Sequence, residues 1–145
     1  MALIKSQPFG LIYFAALCWH GYRGVIQMAY VDVMVLAVKA DDLKAYKKLV
    51  QGSAKAWRRC GALGYHELLE DDVKPGKRTS FPQSVKLKPG EKVACAYLVF
   101  KNKAARNSAW KKFMKDPFVA SFNPKTVPFD MKRMFFGGFK TLVSF

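Results

Sequence analysis

Cysteine and histidine are scarce in this 145-residue chain, which contains three cysteines and two histidines. Cys18, Cys60 and Cys95 are an odd number of thiols, and no two of them form a CxxC motif. These absences exclude a disulfide framework and a metal or redox site built on paired cysteines. We therefore expect reduced thiols, no bound metal and a location in the cytoplasm.

The sequence also lacks the short motifs of nucleotide-binding and hydrolytic sites, since GxGxxG, GxSxG and HExxH do not occur. The run Gly76-Lys77-Arg78-Thr79 ends like a phosphate-binding loop. That loop requires a glycine five residues before Gly76, where this chain has Asp71. The sequence therefore predicts no cofactor.

Acidic residues are few: ten aspartates and glutamates stand against 25 lysines and arginines, so the formal net charge is +15. Such a charge favours anionic partners, among them nucleic acid. One functional alternative is therefore non-specific nucleic-acid binding through a basic helical face. We favour the simpler interpretation, a solvated surface that keeps the protein soluble. The basic residues on the two predicted helices are Lys44, Lys47, Lys48, Lys55, Arg58 and Arg59, and Lys103, Arg106, Lys111, Lys112 and Lys115.

Long hydrophobic runs are missing as well. The apolar run over residues 9–19 has 11 residues, whereas a membrane helix needs about 20. Residues 1–27 contain no acid and do not continue the pattern of the rest. We expect them to be an extension that is absent from the mature protein, with residues 28–145 forming a single domain. An export or membrane signal, or an integral part of the fold, are the alternatives for this stretch.

What the chain does contain is an alternation of strand-like and helix-like segments. Apolar residues at spacings of three and four predict two helices. Asp41 or Asp42 is expected to cap the first, which runs to about Cys60, and Asn102 to cap the second, which runs through Lys115. The predicted strands are Tyr30–Val38, Ala62–Glu70, Lys92–Lys101 and Lys132–Val143, the last with an interruption at Gly137-Gly138. The order β-α-β-β-α-β predicts a ferredoxin-like α+β fold, with a four-stranded antiparallel sheet and both helices on one face.

The first strand is apolar on both of its faces. Val31, Val33 and Val35 alternate with Met34 and Leu36, and the third strand shows the same pattern. Two helices can cover only one face of the sheet, and an exposed apolar face of that size is unusual for a monomer. We therefore expect a homodimer in which the second copy covers the other face.

Several short runs support a family resemblance over residues 28–145. They are Tyr30-Val31-Asp32, Gly61-Ala62-Leu63, Asp116-Pro117, Pro128-Phe129-Asp130 with Lys132-Arg133-Met134, and Gly137-Gly138-Phe139. On these runs the chain resembles the YbaA-like family of small bacterial proteins of unknown function. It departs from that family at Met131, where a glycine is usual. The resemblance implies a dimeric α+β barrel and supplies no reaction.

Aromatic residues are the basis of the first functional expectation, an apolar or aromatic small molecule bound between sheet and helices. Tyr30, Trp57, Tyr97 and Trp110 are candidate lining residues, together with Phe135. The same side chains could instead form an ordinary core. Arg133 and Asp130 are candidates for holding a polar or anionic ligand at the mouth of the barrel. Alternatively, Asp130 caps a turn and Arg133 pairs across the dimer.

Acid–base residues support a second alternative, an enzyme. The superfamily that the chain resembles includes cofactor-independent monooxygenases and related isomerases, and Glu67, His66 and Asp130 are the candidate catalytic residues. The two-residue period of a strand places Glu67 with Tyr65 on one face of the second strand and His66 on the other. A carboxylate inside the barrel can act as a base. The structural alternative for Glu67 is an interface salt bridge with Arg78 or Arg133.

Overall fold

A computed structural model describes residues 29–144, so the expectations about residues 1–27 lie outside the described residues. The strands are β1 (Tyr30–Lys39), β2 (Gly64–Leu69), β3 (Glu91–Phe100) and β4 (Phe135–Lys140). The helices are α1 (Leu43–Cys60), α2 (Phe81–Ser84), α3 (Lys103–Phe113) and α4 (Pro117–Ala120), with 3₁₀ turns at Ala40–Asp42 and Met131–Arg133. The strands form one antiparallel sheet in the order β2-β3-β1-β4. This is the ferredoxin-like arrangement, so the predicted fold class is confirmed.

Local signals account for most of the helix ends. Gly61 ends α1 with a left-handed backbone, φ 103°, which glycine adopts without steric cost. Asn102 begins α3, and its Oδ1 accepts a hydrogen bond from the Ala105 amide at 2.8 Å. Asp116 begins α4 in the same way by accepting from the Phe118 amide at 2.9 Å. Asp116-Pro117 therefore starts a short additional helix directly after α3.

The expected cap of α1 by Asp41 or Asp42 is wrong. Asp42 occupies the capping position, but its side chain makes no capping hydrogen bond. The reason is the 3₁₀ turn at Ala40–Asp42, which runs directly into the helix. It gives Asp42 a backbone with φ −94° and ψ 3°, and a capping residue needs an extended one.

The last strand is shorter than predicted and has no interruption. β4 runs through Gly137 and Gly138, which pair with Val33 and Asp32 of β1. Gly138 is needed for the close approach of β1, because a Cβ there would lie 2.5 Å from the Tyr30 hydroxyl and 2.8 Å from Oδ1 of Asp32. The two glycines thus continue the strand beside bulky neighbours.

Both faces of the sheet carry apolar side chains, as predicted, but different elements of the chain cover the two faces. On one face α1 and α3 bury Leu36, Val38, Leu98 and Phe100. On the other face the chain itself covers one end, because Val85, directly after α2, is fully buried against Val35, Ala37 and Val93. The expected cover by a second copy is therefore not needed at this end of the face. Three apolar side chains on the rest of it stay exposed: Leu68, Phe135 and Phe139.

No helix in the described part of the chain is both long enough and apolar enough to span a membrane.

Candidate functional site

A cavity of about 350 Å³ lies between the helices and the sheet. A volume of this size is typical of sites for small organic ligands. Trp57, Trp110 and Phe113 line it from the helix side, and Met34, Leu36 and Ala96 line it from the sheet. The remaining lining residues belong to α1, to β2 and to the segment from Met114 to Met134: Tyr46, Leu49, Val50, Ser53, Tyr65, Glu67, Met114, Phe118, Val119, Phe122, Phe129, Met131 and Met134.

The space above the sheet exists because a small residue occupies the centre of its floor. Ala96 of β3 pairs with Met34 on one side and with Glu67 on the other. The next inward-facing position along β3 is also an alanine, Ala94. Larger side chains at these positions would occupy the volume that the cavity now offers. The cavity therefore follows from the choice of side chain on the central strand.

The wall beyond the helices is held in place by α4 and its flanking residues. Gly52 of α1 allows close contact with Phe118, because a Cβ at position 52 would lie 2.6 Å from Cε2 of that ring. Asp116 anchors the start of α4 through an ion pair between its Oδ1 and Nη2 of Arg59 at 2.8 Å. The hydrogen bond from Arg59 holds the pKa of the Asp116 carboxyl below its usual range.

Glu67 is the acidic residue of the cavity. Its Oε2 accepts a hydrogen bond from the Tyr65 hydroxyl at 2.5 Å, and its Oε1 accepts one from the Tyr46 hydroxyl. Burial raises the pKa of both tyrosines, and the adjacent Glu67 charge raises it further. Both phenols therefore stay protonated at neutral pH and act as donors, while Glu67 acts as an acceptor.

Basic side chains are missing from the lining. Among the described residues around the cavity there is no lysine, arginine or histidine. Ser53 supplies the remaining hydroxyl, and the indole N–H of Trp110 is already used, since it donates to Oδ2 of Asp32 at 2.6 Å. The cavity is thus an apolar space with one carboxylate at its edge.

Asp32 is a second acid on the same face of the sheet, and it is not among the predicted site residues. It is 1% exposed and accepts a hydrogen bond at 2.8 Å from Nε of Arg106, whose guanidinium lies 5.5 Å above the Trp110 ring centre. Arg106 therefore forms a buried ion pair with Asp32. The expectation that it belongs to the basic outer surface of the helices is wrong. The signal for this pair was a single acid within an otherwise apolar strand, because a buried charge requires a partner.

The structure brings only part of the predicted site together. Trp57, Trp110 and Glu67 meet at the cavity, and Tyr30 packs in the neighbouring core cluster that contains Trp57. Tyr97 instead projects from the opposite face of the sheet, where its ring stacks on His66 at 4.5 Å. Phe135 also lies on that face and is exposed. The grouping of Tyr97 and Phe135 with the cavity residues is therefore wrong, whereas His66 lies on the face opposite Glu67, as the strand period predicts.

Arg133 and Asp130 belong to a separate cluster beside a polar depression of the surface. Arg133 donates to Oε1 of Glu91 at 2.7 Å and to Oδ2 of Asp130 at 2.9 Å. The second oxygen of Asp130 accepts from the Lys132 amide at 2.9 Å, so its predicted role as a turn cap is confirmed. Arg133 therefore pairs within the chain, and Glu67 forms no salt bridge with Arg133 or Arg78 among the described residues. The Arg133 hydrogen bonds lower the pKa of Glu91 to about 2.

The sequence comparison identifies the family. Residues 29–131 match the model of a family described as "Protein of unknown function (DUF1428)". This chain belongs to the DUF1428 family. It is 37% identical over 116 residues to the "Uncharacterized protein YbaA" of Escherichia coli K12, an alignment that covers 80% of this chain and 98% of that protein. A protein of the same description in Shigella flexneri gives the same values. The YbaA-like resemblance is thereby confirmed.

The solved structures support the fold of this family member. A crystal structure described as a dimeric ferredoxin-like protein, from an uncultured marine organism, aligns with a TM-score of 0.52 and 11% sequence identity. The alignment covers 81% of this chain and 99% of that protein. At this level of identity the likeness concerns the fold alone.

Proposed function

We propose that this chain is a cytoplasmic homodimer that binds an apolar or aromatic small molecule between its helices and its sheet. The observation that carries this proposal is the cavity of about 350 Å³, with its aromatic wall and its single carboxylate. Protein interiors are normally close-packed and contain few voids larger than a water molecule. An apolar lining offers water few hydrogen bonds, so an organic ligand suits this space better than solvent does.

The homodimer is supported by the part of the sheet that the helices do not cover. Val31, Val33 and Val99 lie there partly buried, and Leu68 and Phe139 are 49% and 59% exposed. A second copy packed sheet against sheet would remove these side chains from water. The structural neighbour described above is itself called dimeric, which agrees with this arrangement.

The ligand is tested by native mass spectrometry of the protein purified from its own host. We expect a dimer that carries a defined extra mass, which mild denaturation releases. Ala96→Leu should abolish the extra mass because it fills the floor of the cavity. The matched control is Ala104→Leu, the same change at an exposed position of α3. An empty wild-type dimer would contradict ligand binding and favour the alternative of nucleic-acid binding by the basic helical surface.

The dimer is tested by sedimentation of a charged variant. Leu68→Asp, combined with Phe139→Asp, places two carboxylates on the uncovered face and should give monomers. Leu63→Asp, just before β2, introduces one such carboxylate at a leucine that is 55% exposed and should leave the dimer intact. A wild-type monomer at micromolar concentration would contradict the homodimer.

A second candidate function is acid–base catalysis by Glu67 on the bound molecule. The observation that favours it is the position of a carboxylate at an apolar cavity, where a bound ligand can contact it. Glu67→Gln should then retain binding and stop turnover of the molecule identified by mass spectrometry. Turnover that persists in Glu67→Gln would exclude this role.

A further inference from the structure

We infer that Glu67 selects the ligand: the cavity takes an apolar or aromatic molecule that carries a hydrogen-bond donor, a protonated amine above all, and it rejects carboxylates. This inference rests on the proposed binding function and names the class of ligand. It is argued from the hydrogen bonds of Glu67, from the charged groups near it and from the aromatic wall.

The hydrogen bonds of Glu67 leave acceptor capacity free. A carboxylate has two oxygens with about four lone-pair sites and no donor. The Tyr46 and Tyr65 hydroxyls each fill one site, on different oxygens, and so hold the carboxylate in one orientation. Because both phenolic protons are directed at Glu67, this part of the cavity offers a ligand acceptors and few donors. A ligand that donates a hydrogen bond is therefore the complementary one.

The charged groups near Glu67 also favour a ligand with a positive charge. Three acids whose side chains are at least nine-tenths buried each pair with an arginine: Asp32 with Arg106, Asp116 with Arg59, and Glu91 with Arg133. Within the described part of the chain, Glu67 has no ion-pair partner and receives only the two neutral phenols.

The chain has 25 lysines and arginines, yet none of those described pairs with Glu67. A cationic ligand can therefore act as the ion-pair partner of this carboxylate. An anionic ligand would meet the like charge of Glu67 and no compensating base in the lining.

The aromatic wall suits a cation that carries an apolar body. Trp57 and Phe113 stack at 3.8 Å between ring centres, and Trp110 stands nearly perpendicular to Trp57 at 4.8 Å. Aromatic faces attract ammonium groups as well as flat rings, most strongly where water is excluded. The wall and the carboxylate therefore favour the same ligand, with its ring among the aromatics and its donor group at Glu67.

The test uses three probes with one ring system, 1-naphthylmethylamine, 1-naphthylmethanol and 1-naphthoate, titrated into the full-length dimer by calorimetry at neutral pH. We expect the amine to bind about tenfold tighter than the carboxylate or better, with the affinity of the alcohol between them. The amine gains a charge-assisted hydrogen bond to Glu67, whereas the carboxylate has no donor and meets a like charge. In Glu67→Gln the ratio of amine to carboxylate affinity should fall to about twofold or less.

Asp72→Asn is the matched control, because it removes the same negative charge at an acid whose side chain is 81% exposed. It should leave the ratio unchanged. The order of the three probe affinities for the wild-type protein tests the inference even if Glu67→Gln does not fold.

Equal binding of the three probes, or a preference for naphthoate, would overturn the inference and leave the binding function standing. Failure of all three to bind would overturn both. A ratio that Glu67→Gln preserves would also overturn the role given to Glu67.

Discussion

The helix-covered face of the sheet contains two acids whose surroundings differ, and the difference separates a structural region from the proposed binding site. Asp32 on β1 is enclosed, opposite Gly138, and is held by Arg106 and Trp110. Glu67 on the edge strand β2 is half-buried, faces the cavity and is held by two tyrosines. A buried acid with an arginine has its charge balanced within the fold, whereas an acid held by phenols alone keeps a charge that a ligand can balance.

The largest expected effect is the loss of the Asp32 charge. Asp32→Asn should lower the free energy of unfolding by about 3 kcal/mol or more, because it leaves Arg106, whose side chain is 23% exposed, without its anion. Glu67→Gln should cost about 1 kcal/mol or less, since glutamine keeps hydrogen bonds to the phenols without burying an unpaired base. Urea denaturation of both variants checks this. Equal losses would remove the distinction between the two regions.

The second effect concerns the space that Asp32 needs. Gly138→Ala should cost about 2 kcal/mol, because the new methyl group overlaps the Tyr30 hydroxyl and the Asp32 carboxylate. Gly137→Ala is the matched control on the opposite face, where the nearest atom is a Phe139 ring carbon at 3.7 Å. It should change the midpoint of thermal unfolding little. If both alanines are equally tolerated, the packing of β4 against Asp32 is looser than described.

The third effect extends the comparison to Glu91, another acid paired with an arginine. Its pKa in the folded chain is about 2, below the ordinary 4.5, so its contribution to stability is present above pH 4.5 and is lost as the pH falls toward 2. Between these pH values the wild-type protein should lose about 2 kcal/mol more stability than Glu91→Gln.

Denaturation curves at a fixed protein concentration over this pH range provide the measurement for Glu91. The exposed acid in Asp72→Asn serves as the control and should follow the wild type. If the free energy of unfolding falls equally with pH in the wild type and in Glu91→Gln, the ion pair of Glu91 with Arg133 does not cause the loss of stability in acid.

The smallest effect comes from the phenols that hold Glu67. Tyr46→Phe should lower the free energy of unfolding by about 1 kcal/mol, the usual net value of one hydrogen bond, and should weaken binding of the naphthyl amine. Tyr97→Phe removes a hydroxyl on the opposite face of the sheet and should leave both quantities unchanged. Urea denaturation and calorimetry on the same samples separate the two quantities. If Tyr97→Phe weakens the amine as much as Tyr46→Phe does, the site has been placed on the wrong face.

The parts of this molecule that could be predicted from sequence rest on local signals. The strand period placed Glu67 and Tyr65 on the same face, and the helical spacing of Trp57 and Trp110 directed both toward the sheet. The same reasoning could not place Tyr97, because β3 is apolar on both faces and its sequence alone does not show which face the helices cover. An apolar alternation identifies two faces, and only the docking of the helices distinguishes them.

The contacts that define the two regions could not be predicted, because they join distant segments. Tyr46 reaches Glu67 from 21 residues away, Arg106 reaches Asp32 across 74 residues, and Arg133 reaches Glu91 across 42. Each depends on the register of the sheet and on where a helix or turn packs against it. A basic residue on a predicted helix was for that reason assigned to the surface, although Arg106 is in fact the partner of a buried acid.

The sequence by itself determined the order of the four strands and the two long helices, the end of α1 at Gly61 and the start of α3 at Asn102. It also determined the apolar character of both sheet faces and the membership of the DUF1428 family, since all of these depend on neighbouring residues or on similarity along the chain. Tertiary structure decided that α2 and Val85 cover one end of the second face, and that Asp32 received an arginine while Glu67 received two tyrosines. The physical reason is that the state of a buried charge depends on the groups packed around it, and packing between distant elements assembles those groups only when the whole domain folds.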